Sequence, residues 1–95
     1  MALFFPLFRP QLQGTVEIWK RQLQYYEEWA LVLLNIDSQR KQVSFKFNQL
    51  GLSYQDGYEG RDVLAHKDLG HFYLTTVYNF TVPATGALMM YLHAF

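Results

Sequence analysis

Cysteine is absent from this 95-residue chain. Disulfide staples and thiolate metal sites are thereby excluded, although the compartment is not fixed. Charge is also scarce. Only 17% of residues are charged, eight basic against eight acidic, for a formal net charge of zero. With no basic block, the chain has no electrostatic footprint for nucleic acid. Long apolar runs are missing too. The opening ten residues, Met-Ala-Leu-Phe-Phe-Pro-Leu-Phe-Arg-Pro, are apolar but short, and Pro6 interrupts them. They lack a basic leader and a small-residue cleavage site, so neither a convincing signal peptide nor a membrane span is expected. No glycine-rich phosphate cradle, internal repeat, low-complexity tract or linker is present. One domain is expected, large enough to form a core without staples.

What the chain does have is apolar and aromatic. Hydrophobic residues make up 51% and aromatic residues 18%. A neutral, charge-poor domain of this kind is sticky unless part of its surface is covered.

The apolar residues follow a period of two. Val16 and Ile18 alternate with Glu17 and Trp19, predicting a strand over about 15–21. Residues 29–34, Trp-Ala-Leu-Val-Leu-Leu, are apolar on both faces, as in a strand covered on both sides. A helix over 22–34 is the main competitor, since Gln, Leu, Glu and Ala favour helix and no Pro or Gly intervenes. Residues 35–40 supply polar turn chemistry. Residues 42–48 alternate cleanly, with Val43, Phe45 and Phe47 inward and Ser44 and Lys46 toward water. Gly51 and residues 53–57 predict a loop. Residues 58–63 predict a weaker strand, because Gly60 lies in its middle. Residues 76–82 alternate again, with Tyr78, Phe80 and Val82 inward. Residues 83–86 form a turn, and 87–92 a last strand apolar on both faces. The expected fold is all-β, an antiparallel β-sandwich of about six to eight short strands.

Residues 61–70, Arg-Asp-Val-Leu-Ala-His-Lys-Asp-Leu-Gly, are the most distinctive run. Asp62 and Asp68 are expected to flank a turn ending on Gly70, which supplies positive φ. The run joins others in a fixed order: Thr-Val-Glu-Ile-Trp-Lys-Arg at 15–21, Trp-Ala-Leu-Val-Leu-Leu-Asn at 29–35, Leu-Gly-Leu at 50–52, Tyr-Glu-Gly-Arg-Asp at 58–62 and Val-Pro-Ala-Thr-Gly at 82–86. Together they resemble the C-terminal β domain of the α-galactosidase and α-N-acetylgalactosaminidase family of glycoside hydrolases, over residues 14–92. The Arg-Asp-x-x-Ala-His-Lys-Asp-Leu-Gly run is the most specific part. Gln22 stands where the family often has proline, Leu64 where tryptophan is common, and Gly60 where a β-branched residue is typical. Residues 1–13 do not follow the family's usual joint.

The resemblance implies a (β/α)₈ barrel ahead of the sandwich, holding two catalytic aspartates of a retaining mechanism. A barrel needs on the order of 200 residues, and these 95 hold none of it. The expectation is a non-catalytic accessory β domain at 14–95, after a lead-in at 1–13. It would pack on a glycosidase catalytic barrel, in a secreted or lysosomal protein if the parent family is followed. The alternative is a free-standing carbohydrate-binding or self-associating module.

Asp62 and Asp68 as a glycosidase pair would need to straddle a sugar cleft; turn capping explains them better, so no catalytic residue is expected. His66, Asp68 and His71 have loose metal-ligand spacing but no further histidine or cysteine beside them, and neither metal nor cofactor is expected. Trp19, Tyr25, Tyr26, Trp29, Tyr54, Tyr58 and Tyr73 are expected mainly in core or interface roles. Tyr25, Tyr26 and Tyr54 fall in loops and are the candidates for stacking on sugar. Asn79-Phe80-Thr81 is a glycosylation acceptor if the chain enters the secretory pathway. Leu88, Met89, Met90 and Tyr91 are the candidate domain-interface residues, because a two-layer sandwich buries only one face of a strand.

Overall fold

A computed structural model describes residues 11–94, and its architecture is all-β. Eight strands appear in chain order: β1 (Gln11–Gln13), β2 (Val16–Gln22), β3 (Glu28–Asn35), β4 (Lys41–Phe45), β5 (Tyr58–Asp62), β6 (Lys67–Phe72), β7 (Tyr78–Val82) and β8 (Ala87–Ala94). A single 3-10 turn, Phe47–Leu50, is the one helical element among the described residues. Six strands form one sheet in the order β1-β2-β3-β8-β5-β6, and β4 pairs with β7 in a second. Every pairing is antiparallel. Among the described residues, no helix is long and apolar enough to cross a membrane.

The alternation sets the layers. Val16, Ile18, Leu31, Leu33, Met90 and Leu92 point from the large sheet into the core. Val43, Phe45 and Val82 meet them from the small one. An aromatic cluster joins the two layers. The Phe47 ring stacks on Phe72 at 4.8 Å between centroids, and Phe80 stacks on Phe45 at 5.3 Å. The helix competitor over 22–34 loses because Leu31, Leu33 and Asn35 alternate with half-buried residues in β3.

Several local expectations change. The clean run at 42–48 splits: β4 ends at Phe45, and Phe47 opens the 3-10 turn, still fully buried. Gln11–Gln13, in the expected lead-in, pair with β2. The Gln13 side-chain amide then reaches across to β4. Its Nε2 donates to Ser44 O at 2.8 Å and its Oε1 accepts from Ser44 N at 2.7 Å. A side chain thus imitates a strand and satisfies an edge that would otherwise stay open.

The run at 61–70 is not one long turn but the tip and return arm of a hairpin. Asp62 Oδ1 accepts from the backbone N–H of Leu64 and Ala65, so Asp62 does cap the turn. Asp68 does not. It lies in β6, and its carboxylate pairs with Arg61 at 2.7 Å. Gly70 has positive φ, but inside β6 opposite Gly60, where the register shifts. Gly60 itself is needed for packing. A Cβ there would lie 2.3 Å from Cε2 of Phe72, so the ring covers the bare backbone.

Asn35, expected in a polar turn, is buried at the end of β3. Its Nδ2 donates to Gln39 O and Pro83 O, and its Oδ1 accepts from Asp37 N. One side chain therefore ties the loop after β3 to the turn after β7.

Candidate functional site

The inner face of the six-stranded sheet is filled by the chain's own core, so any external contact falls on its outer face. Register places those outer side chains in rows. Trp19, Val32 and Met89 lie abreast across β2, β3 and β8. Glu17, Leu34 and Ala87 form the row on one side. Arg21, Ala30, Tyr91 and Arg61 form the row on the other. Beyond that lies a fourth row of ionisable groups, Glu28, His93, Glu59 and His71. The apolar members of the first three rows are half-buried. The face thus has an apolar centre and a polar margin, the usual anatomy of a protein interface.

Two polar contacts stiffen the margin. Tyr91 Oη donates to Glu28, and the carboxylate, with partial burial, pushes the phenol up to about 12. The Trp19 indole N–H donates to Glu17 at 3.0 Å.

This register divides the candidate interface residues. Met89 and Tyr91 lie on the outer face. Met90 does not: it is 0% exposed within the chain's own core, and Leu88 packs against that core beside it. The reason is the period of two itself, which sends alternate residues of β8 to opposite layers.

The three loop tyrosines also separate. Tyr25 and Tyr26 are 65% and 77% exposed at the tip between β2 and β3. Tyr54 is half-buried, with its ring edge-on to Tyr26 at 6.3 Å and tilted toward Tyr58 at 6.2 Å. The tip is held from below by Glu27. Its carboxylate accepts from the Trp29 indole and from Tyr58 Oη, and its carbonyl accepts from Ala94 N. Tyr58 is fully buried, and desolvation first, then the Glu27 bond, raise its phenol to about 12.

The remaining candidates fall apart as a group. His66, Asp68 and His71 do not converge, and among the described residues no cluster of His, Asp and Glu could hold a metal ion. His66 lies at the hairpin tip with positive φ. His71 instead faces Glu59 at 3.1 Å and the Asp56 carbonyl at 2.6 Å. Those three residues, with Tyr73, are linked by no sequence spacing, because a loop and two strands bring them together. Asn79 and Thr81 are exposed on the outer side of β7, and Ser44 Oγ donates to Asn79 Oδ1.

Residues 13–92 match the family model described as the alpha galactosidase C-terminal beta sandwich domain. The chain belongs to this family. Solved structures agree on the fold of this α-galactosidase C-terminal domain. Alpha-galactosidase I from Mortierella vinacea superposes with a TM-score of 0.75 at 18% identity, over 90% of this chain and 22% of that one. A putative alpha-N-acetylgalactosaminidase from Bacillus halodurans gives 0.77 at 14% identity, over 92% and 20%. A β-L-arabinopyranosidase from Geobacillus stearothermophilus gives 0.70 at 21% identity, over 92% and 18%. The chain spans about a fifth of the length of these structures. No curated protein matches the sequence.

Proposed function

We propose that this domain is a non-catalytic accessory module that docks on a glycosidase catalytic barrel through the outer face of its six-stranded sheet. The observation that carries the reading is the apolar centre of that face, Trp19, Val32 and Met89 abreast with Leu34, Ala30 and Tyr91 beside them. The inner layer is complete without these side chains, so their clustering needs another cause. A partner surface supplies one. The family supports the identity of that partner. About four-fifths of each related structure lies outside the matched domain, which leaves ample length for a barrel.

The two aspartates of the 61–70 run, which would be the sequence's candidate carboxylate pair, both have structural partners instead. Asp62 caps a turn and Asp68 pairs with Arg61. On this reading the domain itself turns over no α-galactoside. Gel filtration with and without a barrel of the family tests the docking. Co-elution lost on Met89→Lys with Tyr91→Lys supports this face; co-elution that survives the pair overturns it. Release of product from an aryl α-galactoside by the domain alone would overturn the non-catalytic role.

A second reading is a self-associating or sugar-stacking module. The exposed Tyr25 and Tyr26 on a pinned tip favour it. Their replacement by alanine would then abolish oligosaccharide binding while leaving barrel docking intact.

A further inference from the structure

We propose that the depression lined by Asp56, Glu59, His71 and Tyr73 is a binding subsite for a neutral pyranose. It is an open hollow of about 520 Å³ where β5, β6 and the loop before β5 meet. It lies at the end of the ionisable row, away from the apolar centre of the sheet, and the inference does not depend on barrel docking.

Three features make it a built site. The first is an aromatic wall. Tyr73 is 58% exposed, and its ring sits 4.6 Å from the His71 ring at a 56° tilt. Its backbone N–H is bonded to Tyr78 Oη at 2.8 Å, which fixes the root of the side chain. An exposed, anchored tyrosine offers a flat apolar surface with a polar tip, which suits the C–H face of a sugar ring.

The second feature is a pair of carboxylates beside that wall. His71 Nδ1 engages one Glu59 oxygen, leaving the other as an acceptor. The Asp56 side chain has no hydrogen bond or ion pair among the described residues, and only its carbonyl is used, by His71 Nε2. Adjacent hydroxyls of a pyranose are donors that such oxygens accept. A charged acceptor strengthens each bond.

The third feature is rigidity. His71 bridges Glu59 on β5 and the Asp56 carbonyl on the loop, so it ties all three walls together. Gly57 makes the approach possible. It has φ +86, and a Cβ there would lie 2.3 Å from Phe72 O and 2.7 Å from His71 Nε2. Its N–H closes the loop onto Tyr54 O at 2.9 Å. A site already held in place loses little freedom when a small ligand arrives.

The test is ligand-observed saturation-transfer NMR on the whole chain. Methyl α-D-galactopyranoside and methyl α-D-glucopyranoside are the probes, each at ~10 mM, with glycerol as the control polyol; weak binders show at this concentration. Transfer to the ring protons of at least one pyranoside, and not to glycerol, is the expected result. Tyr73→Ala should weaken it about tenfold, the scale of one lost aromatic contact. Asp56→Ala, at an exposed loop position, should weaken it severalfold while a circular dichroism spectrum stays unchanged. It therefore serves even if Tyr73→Ala fails to fold. Absence of transfer to both pyranosides overturns the proposal. So does transfer equal to that of glycerol, or transfer that survives Asp56→Ala in the folded variant. Loss confined to Tyr25→Ala with Tyr26→Ala would place the sugar at the β2–β3 tip and would equally overturn it.

Discussion

Phe45 and Lys46 are neighbours in sequence with opposite fates. Phe45 is 4% exposed and packs against Phe47 and Phe80, whereas Lys46 leads into the 3-10 turn. Phe45→Ala should cost about 3–5 kcal/mol, a large part of the stability of a domain this size. Lys46→Ala should cost under about 1 kcal/mol. Urea unfolding of both variants checks the contrast; equal midpoints would disprove the assigned faces. Tyrosines give a second test at this scale. The phenols of Tyr58 and Tyr91 are both pushed up to about 12, from an ordinary value of 10.0. Burial dominates for Tyr58, and the Glu28 bond for Tyr91. A raised folded-state value favours the protonated phenol in the native state. Its contribution is complete below about pH 10 and is lost as pH climbs toward 12. Alkaline titration followed by tyrosinate absorbance should show two late-ionising groups in the folded chain, and Tyr58→Phe should remove one of them. Single residues were also where sequence was least legible. Asn35 looks like turn chemistry because asparagine is common in turns. Only the fold reveals that its amide is buried among three loop backbone groups, the carbonyls of Gln39 and Pro83 and the N–H of Asp37.

At the level of elements, strands with a filled inner face were easy to find. β2, β3, β4 and β8 bury alternate residues, and that periodicity is visible before any coordinate is known. β6 was missed for a physical reason. It is an edge strand whose residues 67–70 are all exposed, and a single residue, Phe72, supplies its buried contact. Without alternation, a run of charge ending in glycine looks like a turn. β1 is too short to carry a period at all. The Asp56, Glu59, His71 and Tyr73 depression was invisible for a related reason: its walls come from different elements, and no local spacing encodes them. Gly60 shows the converse error. Glycine in a strand suggests weakness, yet here the Phe72 ring occupies the space a side chain would take. Gly60→Val should destabilise the domain by about 1–3 kcal/mol through overpacking. The same substitution should cost clearly less in a Phe72→Ala background. Equal costs in the two backgrounds, measured by thermal or urea unfolding, would show that the ring is not the obstacle.

On the scale of the whole molecule, one sheet has two apolar faces and the domain fills only one of them. An isolated chain should therefore self-associate. Sedimentation should give a dimer or a concentration-dependent aggregate, whereas Met89→Lys with Tyr91→Lys should be more soluble and monomeric with its β spectrum intact. A wild-type chain that remains a clean monomer at ~100 μM, a concentration that would reveal micromolar association, would argue against an uncovered interface.

The position of β8 has a consequence for synthesis. It is the last strand to be made, yet it lies in the middle of the six-stranded sheet, between β3 and β5. Until it leaves the ribosome, β1–β3 and β5–β6 are two separate ribbons with no shared neighbour, each with an open edge. The pairings that join the two ribbons, β3 with β8 and β5 with β8, form only at that final insertion. The large sheet of the nascent domain thus stays in two parts, with open edges between them, until Ala87–Ala94 has been made, and those edges are exposed to other partners meanwhile.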